Sequence, residues 1–338
     1  MSVAVTGPAA PAEEDLPRSL DPGLAPADRV FFRGSLGVGA LVLVLVGSIG
    51  LFLFLQLVPT LHAYGLSFFT QANWIPNTRE EGVKAAIVGT FEVATVAITV
   101  SVPLALLTAL YITEYAPRWL RSPLVSLIDL MAAIPSIIYG LWGFYLLMPR
   151  AEELSRWLST YMGWFPLFRI SGSQPHAAQV FLSTYGGSYA IAGLVVAMMV
   201  TPIACAVMRG VFAQAPIGER EGALALGATR WGVIRSVVLP FGRSGIIGGT
   251  MLGLGRALGE TIAVTLILSE TFTITDHLVQ RGGLTITYLI ATEFHEADPG
   301  ELSALLAAGF VLFGITLIVN MIAAVFITRS RSGAATEI

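Results

Sequence analysis

The segment "EGALALGATRWGVIRSVVLP", Glu221–Pro240, lies between two long apolar runs and carries too many charges to cross a membrane itself. It is nevertheless patterned, because Glu221, Ala225 and Ala228 recur at helical spacing before a glycine break. A second amphipathic piece then ends at Leu239–Pro240. Short helices of this kind either lie on a membrane surface or offer one face to a partner. The segment therefore predicts a functional loop between two membrane spans.

The composition around this segment is that of an integral membrane protein. Of 338 residues, 55% are hydrophobic and 12% are charged, whereas soluble domains carry about 25% charged residues. Windows of about 20 apolar residues predict an all-α protein with six spans, which are 35–58, 85–113, 123–148, 189–211, 245–269 and 302–327. The remaining segments are predicted to be a disordered tail 1–34, an external loop 149–188, the loop 214–241 and a second tail 329–338, with the membrane domain covering 35–328.

The basic residues predict the orientation of these spans. With the N-terminus inside, twelve Arg side chains fall on one face, and five Arg with the single Lys fall on the other. Because cytoplasmic loops carry the excess of positive charge, both termini are predicted to be cytoplasmic, in a multi-pass plasma-membrane protein. The external loop 149–188 carries aromatic residues typical of a membrane interface.

Several kinds of chemistry are absent from the sequence. The single lysine, Lys84, has no glycine-rich phosphate loop around it, so the chain is not predicted to hydrolyse ATP by that mechanism. The single cysteine, Cys205, excludes an intramolecular disulfide. His295 lies beside acidic residues without metal-ligand spacing, so no metal site is predicted. We expect a non-catalytic chain with no cofactor and no nucleic-acid partner.

The spacing within the opening segment is specific. It resembles the EAA loop of ABC-importer permeases, which reads Glu-Ala-Ala, three residues, Gly, nine residues, Ile, one residue, Leu-Pro. The matching positions are Glu221, Gly222, Ala223, Gly227, Val237, Leu239 and Pro240. Gly222 replaces an alanine and Val237 an isoleucine. The resemblance implies a cytoplasmic coupling helix that docks on the ATPase, and an ATPase that is a separate chain.

Three further stretches refine the resemblance. "GLGRALGETIAV" (253–264), "MAAIPSIIYGLWGFYLL" (131–147) and "NWIPN" (73–77) resemble the PstC-type permeases of phosphate-specific (Pst) ABC importers, over almost the whole chain past the tail. This implies a MetI-like six-span fold and phosphate as substrate. The implied partners are a PstA-like permease, a dimer of a PstB-like ATPase that binds ATP and Mg, and a PstS-like phosphate-binding protein outside.

Two charged residues lie within the predicted span 245–269. A charge at the centre of a span costs about 2.5–3.5 kcal/mol, yet Arg256 and Glu260 follow three small residues, Gly245, Gly249 and Gly253, along one helical stripe. Small residues allow a neighbouring helix to approach closely, which predicts that the stripe faces protein.

Two interpretations of this pair stay open. The two charges neutralise each other, or Arg256 binds a phosphate oxyanion while Glu260 orients its guanidinium and balances its charge. The second is also what the resemblance implies. Glu92, in the second span, either lines the same cavity or makes a polar contact between helices.

The alternative function is a secondary transporter in which Glu260 or Glu92 carries a proton. That hypothesis explains buried charges, but it explains neither the EAA spacing nor the lack of an inverted repeat within the six spans. A PstA-type permease, or a permease for another oxyanion, also remains open.

Overall fold

The computed structural model describes residues 26–75, 80–170, 185–274 and 277–330. The chain divides into two compact units, residues 1–49 and 50–338, and helix α1 runs from the first into the second. In the described ranges the strands are β1 (Trp74–Ile75) and β2 (Glu80–Glu81), which pair antiparallel with Trp74 opposite Glu81.

Fourteen α-helices and one short 3₁₀ helix, Pro166–Phe168, lie in the described residues, and three of the α-helices continue into π-helical turns. They are α1 (Pro26–Tyr64), α2 (Ser67–Thr70), α3 (Lys84–Leu110), α4 (Arg118–Ala133), α5 (Ser136–Trp142), α6 (Met148–Met162), α7 (Tyr189–Phe212), α8 (Ile217–Ala225), α9 (Arg230–Val233), α10 (Leu239–Phe241), α11 (Arg243–Leu258), α12 (Ile262–Ile267), α13 (Ile286–Glu293) and α14 (Pro299–Ser330). The π-helical turns are Tyr111–Tyr115, Gly143–Leu147 and Ile234–Val238.

The sequence predicts six spans, and the described helices supply four to six candidates. Four helical stretches are long and apolar enough to cross a membrane, namely Ala27–Tyr64, Lys84–Tyr115, Tyr189–Phe212 and Pro299–Phe326. Two bent pairs raise the number to as many as six. The first pair, Arg118–Ala133 with Ser136–Met162, bends by 92°, and the second, Arg230–Phe241 with Arg243–Leu258, bends by 66°. The predicted all-α membrane architecture is confirmed.

Helix α1 begins earlier than the sequence predicts. The sequence predicts a disordered tail up to residue 34, but the helix starts at Pro26. Proline is favoured in the first turn of a helix, and Asp28 places a carboxylate at the positive end of the helix dipole. The predicted tail residues 1–25 and 331–338 lie outside the described residues.

The core forms where α3, α7 and α11 pack together. Helix α7 is buried on most of its length, and the glycine stripe of α11 lies against it. A Cβ atom added at Gly253 would lie 2.6 Å from Cγ1 of Val200, and one added at Gly249 would lie 3.0 Å from the carbonyl oxygen of Ala204. Cys205 is fully buried in this packing. The predicted close approach of a neighbouring helix at the glycine stripe is therefore observed.

The predicted span 245–269 is two helices rather than one. Helix α11 ends at Leu258 and α12 begins at Ile262. Glycine stands at the C-cap of α11, where its low helix propensity favours an end. A window of about 20 residues averages Gly259, Glu260 and Thr261 with the apolar residues on both sides, so it does not detect the break.

The chain after α12 also enters the bundle as irregular backbone, and residues 282–289 are all buried. Side chains of the bundle satisfy its amides: the Tyr189 hydroxyl accepts from Leu284 N at 3.0 Å, and Thr90 Oγ1 accepts from Ile286 N at 3.0 Å. Thr285 caps α13 by accepting from Tyr288 N. Non-helical backbone is tolerated at membrane depth where protein surrounds it in this way.

Candidate functional site

Arg256 lies in the last turn of α11 and lines an open groove of about 390 Å³. The groove is lined by side chains of α7, α11 and α14, which are Ile203, Met251, Leu252, Gly255, Arg256 and Asn320. The Arg256 side chain is exposed, and no ion pair or hydrogen bond joins it to another residue of the described ranges. A cation at this end of a helix is favoured by the helix dipole. The arrangement is a guanidinium facing open space.

Glu260 lies beyond the end of α11 and is 8% exposed. Its Oε1 accepts a hydrogen bond from Ala263 N at 3.2 Å, and its backbone carbonyl accepts from Thr287 Oγ1 at 2.8 Å. Within the described part of the chain, Arg256 and Glu260 form no ion pair. The predicted helical stripe therefore ends at Arg256, and Glu260 instead holds the first turn of α12 and the segment before α13.

Glu92 lies half-buried on α3. It is not among the described residues that line the groove at Arg256, so the structure does not bring these two predicted residues together. Its neighbour Thr90 has a defined structural role, because its hydroxyl donates to Ala86 O and accepts from Ile286 N.

The first half of the predicted coupling loop is exposed to solvent. No residue of helix α8 is fully buried within this chain, and Glu221 and Gly222 are exposed on it. Gly227, with φ of 84°, forms the turn after α8, a conformation that suits glycine. Leu226, which directly precedes Gly227, is 91% exposed. Apolar side chains held out on a helical surface are typical of a face that receives a partner.

The second half of the loop is anchored. Thr229 caps α9 by accepting from Gly232 N at 3.2 Å, and Val237 is buried in the π-helical turn that follows. Ala223 and Leu239 are half-buried, and Pro240 lies in the first turn of the short helix α10. The seven positions of the EAA pattern thus divide between an exposed helix and its attachment to the bundle.

An ion pair that the sequence pattern does not predict joins the exposed helix α8 to the membrane helices. Arg220 Nη1 of α8 lies 3.1 Å from Glu114 Oε1, in the π-helical turn at the end of α3. Nη2 of the same arginine donates to Phe212 O, the last residue of α7, at 2.6 Å. Both side chains of the pair are mostly buried. One arginine therefore joins α8 to the ends of α3 and α7.

A second and weaker contact joins the same region. Arg209 of α7 lies 3.5 Å from Asp129 of α4, and the aspartate side chain is 54% exposed. Arg121 of α4 donates to Thr113 O at 2.7 Å. Polar side chains therefore connect α3, α4, α7 and α8 where the coupling loop joins the bundle.

Residues 101–332 match the family described as "Binding-protein-dependent transport system inner membrane component". This range is more than half of the chain. The chain belongs to this family.

Relatives of this permease cover most of its length. The "Phosphate transport system permease protein PstC 2" of Mycobacterium tuberculosis is 38% identical over 297 residues, which are 87% of this chain and 89% of the relative. The "Phosphate transport system permease protein PstC" of Xylella fastidiosa is 38% identical over 320 residues, or 94% and 96%. The "Phosphate transport system permease protein PstC" of Pasteurella multocida is 39% identical over 267 residues, which are 79% of this chain and 81% of the relative. The predicted MetI-like fold and the resemblance to PstC-type permeases are confirmed.

Proposed function

We propose that this permease is a membrane subunit of an ATP-driven phosphate importer and that Arg256 contacts phosphate in the translocation path. The observation that carries the proposal is the exposed guanidinium of Arg256 in an open groove, on a chain whose relatives are named phosphate permeases. A charged side chain is costly at membrane depth unless it lines a pathway or meets a partner.

The chemistry of the guanidinium fits a passing oxyanion. It presents five N–H donors in a planar fork, which bind phosphate oxygens in a bidentate geometry. Glu260 does not occupy these donors in the described chain, so they are available to an anion. Glu260 has a structural role at this site, because its hydrogen bonds hold the break between α11 and α12 in place. A role for Glu92 in lining the path stays a prediction.

Coupling to ATP depends on the loop between α7 and α11. The exposed helix α8, with Glu221 at its centre, docks on a PstB-like ATPase dimer, which binds ATP and Mg. A PstA-like permease completes the path, and a PstS-like binding protein delivers phosphate from outside. This chain then holds no cofactor, performs no covalent chemistry, and has both termini in the cytoplasm. ATP binding moves α8, and the spans alternate between inward- and outward-facing states.

The test is ATP-dependent uptake of radiolabelled phosphate into proteoliposomes that contain this chain with its partner permease, ATPase and binding protein. Arg256→Gln is expected to hydrolyse ATP while phosphate uptake falls at least tenfold, since a charge-assisted contact to phosphate contributes about 1.5–3 kcal/mol. Arg243→Gln is the matched control, because Arg243 lies at the other end of the same helix and is exposed. It should transport normally.

Two results would overturn the proposal. Normal uptake by Arg256→Gln would make the arginine a structural residue. Uptake driven by a proton gradient without ATP would favour the secondary transporter instead.

A further inference from the structure

The bend between α4 and α5 follows from Pro135. The two helical stretches meet at 92°, and Ile134, directly before the proline, has extended backbone with φ of −66° and ψ of 129°. Proline disfavours helical backbone in the residue before it and carries no N–H. In a continuous helix that N–H would donate to the carbonyl four residues back, which is Met131 O. Pro135 therefore leaves this carbonyl without its helical donor.

The hydroxyl of Tyr139 takes the place of the missing donor. It donates to Met131 O at 2.9 Å, whereas Ile134 N, in the turn between the two helices, lies 3.3 Å from the same oxygen. Tyr139 is 7% exposed and belongs to the apolar core of the bundle. Proline is tolerated in membrane helices where a neighbouring group satisfies the carbonyl that it frees. Tyr139 supplies that group here.

This hydrogen bond can form only while the two helices are bent. Residues 131 and 139 are eight positions apart, so a straight helix would separate them by about 12 Å along its axis. A tyrosine side chain does not reach a backbone carbonyl across that distance. The contact is therefore present in the bent form of this span and absent from a straightened form, so it stabilises the first relative to the second.

The bend also meets the segment that holds the candidate site. Gly140, next to Tyr139, packs on α12 so closely that a Cβ atom there would lie 3.0 Å from Cα of Ala263. Ala263 N in turn donates to Glu260 Oε1, in the break that follows α11. The charge of Arg256 also acts on the Tyr139 hydroxyl. A change in the bend therefore moves the surface against which α12 packs, beside Arg256.

We propose that Tyr139 is a latch on the α4–α5 bend. Its hydroxyl replaces the N–H that Pro135 lacks, holds the span in its bent form, and so keeps α5 packed against α12 beside Arg256. The latch is independent of which anion the permease carries. Its effect on transport rests on the proposed function of Arg256, for which Tyr139 is a positioning residue.

The test measures the bend directly in the assembled complex. Spin labels are attached to Trp119→Cys on α4 and Tyr145→Cys after α5, both exposed positions, while the native Cys205 is buried. A straight helix would place the two positions about 39 Å apart, and a right-angle bend brings them to about 27 Å. Tyr139→Phe should raise the ratio of long to short distances about two- to tenfold, the effect of one net hydrogen bond.

Pro135→Ala tests the origin of the latch. Alanine restores the N–H that donates to Met131 O in a helix, so this variant should also lengthen the distance. Because the carbonyl then has its helical donor, adding Tyr139→Phe to Pro135→Ala should change the distances much less than Tyr139→Phe does alone. Tyr161→Phe is the matched control, since Tyr161 is 67% exposed on α6 and the loss of its hydroxyl should leave the distances unchanged.

Phosphate uptake by the same variants separates the latch from the site. Tyr139→Phe should lower the phosphate transported per ATP hydrolysed several-fold, whereas Tyr161→Phe should not. Unchanged distances in Tyr139→Phe, or an equal effect of Tyr139→Phe with and without Pro135, would overturn the latch. Changed distances with normal uptake would overturn the link from the bend to the Arg256 site. Arg256→Gln tests the proposed function separately, because it leaves Tyr139 and Met131 in place.

Discussion

At the scale of single residues, Glu81 is a carboxylate held in a protein interior. It is 3% exposed in strand β2, next to Trp74. The indole Nε1 of Trp74 donates to Glu301 Oε1 at 3.1 Å, which brings a second carboxylate into the same cluster. Burial raises the pKa of Glu81 above its ordinary value, a hydrogen bond from Tyr64 lowers it, and the charge of Glu301 raises it further.

These shifts predict how stability depends on pH. Because the pKa of Glu81 is raised in the folded state, the folded protein binds the proton more strongly than the unfolded chain. The contribution of Glu81 to stability is therefore most favourable below pH 4.5, the ordinary value, and is lost as the pH rises through the raised pKa. Glu81→Gln should raise the Tm in detergent near pH 7, and the difference should shrink toward pH 4.5.

Differential scanning fluorimetry over a pH series checks this prediction. Glu219→Gln is the control, since Glu219 is exposed at the start of α8 and should show no such pH dependence. A lower Tm for Glu81→Gln near pH 7 would mean that the charged form of Glu81 is the one the fold stabilises.

The sequence predicts some functional residues and not others for a physical reason. Arg256 is predictable because a charge in an apolar run is costly wherever it lies. The contact of Glu260 with Ala263 is not predictable from the sequence, because it depends on a helix break that the apolar pattern does not mark.

At the scale of elements, the contact between α7 and α11 depends on side-chain size. A Cβ at Gly253 would lie 2.6 Å from Cγ1 of Val200, too close for real atoms, and valine is stiff about χ1. Gly253→Ala should therefore destabilise the protein by about 1–3 kcal/mol, the usual cost of overpacking, despite the better helix propensity of alanine.

Gly248 provides the comparison on the same helix. A Cβ at Gly248 would meet no atom within 4 Å, so Gly248→Ala should be neutral or stabilise by up to about 1 kcal/mol. Thermal unfolding of both variants in detergent measures the two effects. Equal Tm values for the two variants would mean that α11 can move away from α7 without a loss of stability.

The helices show which features of the fold can be predicted from hydropathy and which cannot. Apolar windows measure the length of a buried run, so they find the spans on α3, α7 and α14. They do not measure continuity, so they miss the break between α11 and α12. They also miss the 92° bend at the end of α4, where Ile134 precedes Pro135 and cannot easily stay helical.

At the scale of the whole molecule, the proposed role of α8 as a coupling helix gives the Arg220–Glu114 ion pair the task of carrying its motion to the spans. Arg220 also binds Phe212 O at the end of α7, so a displacement of α8 pulls on α3 and α7 together. Breaking a mostly buried pair leaves a charge without its partner, at a cost of about 3–5 kcal/mol when burial is complete and less here.

We expect Arg220→Ala and Glu114→Ala to lower the phosphate transported per ATP hydrolysed several-fold, while ATP hydrolysis continues. The combined exchange Arg220→Glu with Glu114→Arg should restore part of the ratio. Both rates are measured in the same proteoliposomes.

The exposed pair provides the control for this prediction. Arg209–Asp129 is longer, at 3.5 Å, and its aspartate side chain is 54% exposed, so it resembles the surface pairs that contribute about 0–1 kcal/mol. Asp129→Asn should leave the transport ratio unchanged. Normal coupling in Arg220→Ala would mean that α8 transmits its motion through backbone and apolar contacts instead.

The burial of Cys205 has a practical consequence for observing these motions. Since this thiol is the only one in the chain and no solvent reaches it, a spin label or a fluorophore attaches only where a new cysteine is introduced. Labels on α8 and on the N-terminal end of α14 would then report distances during turnover in an otherwise native permease. The native sequence therefore needs no cysteine removed before such labelling, because the Cys205 thiol is buried.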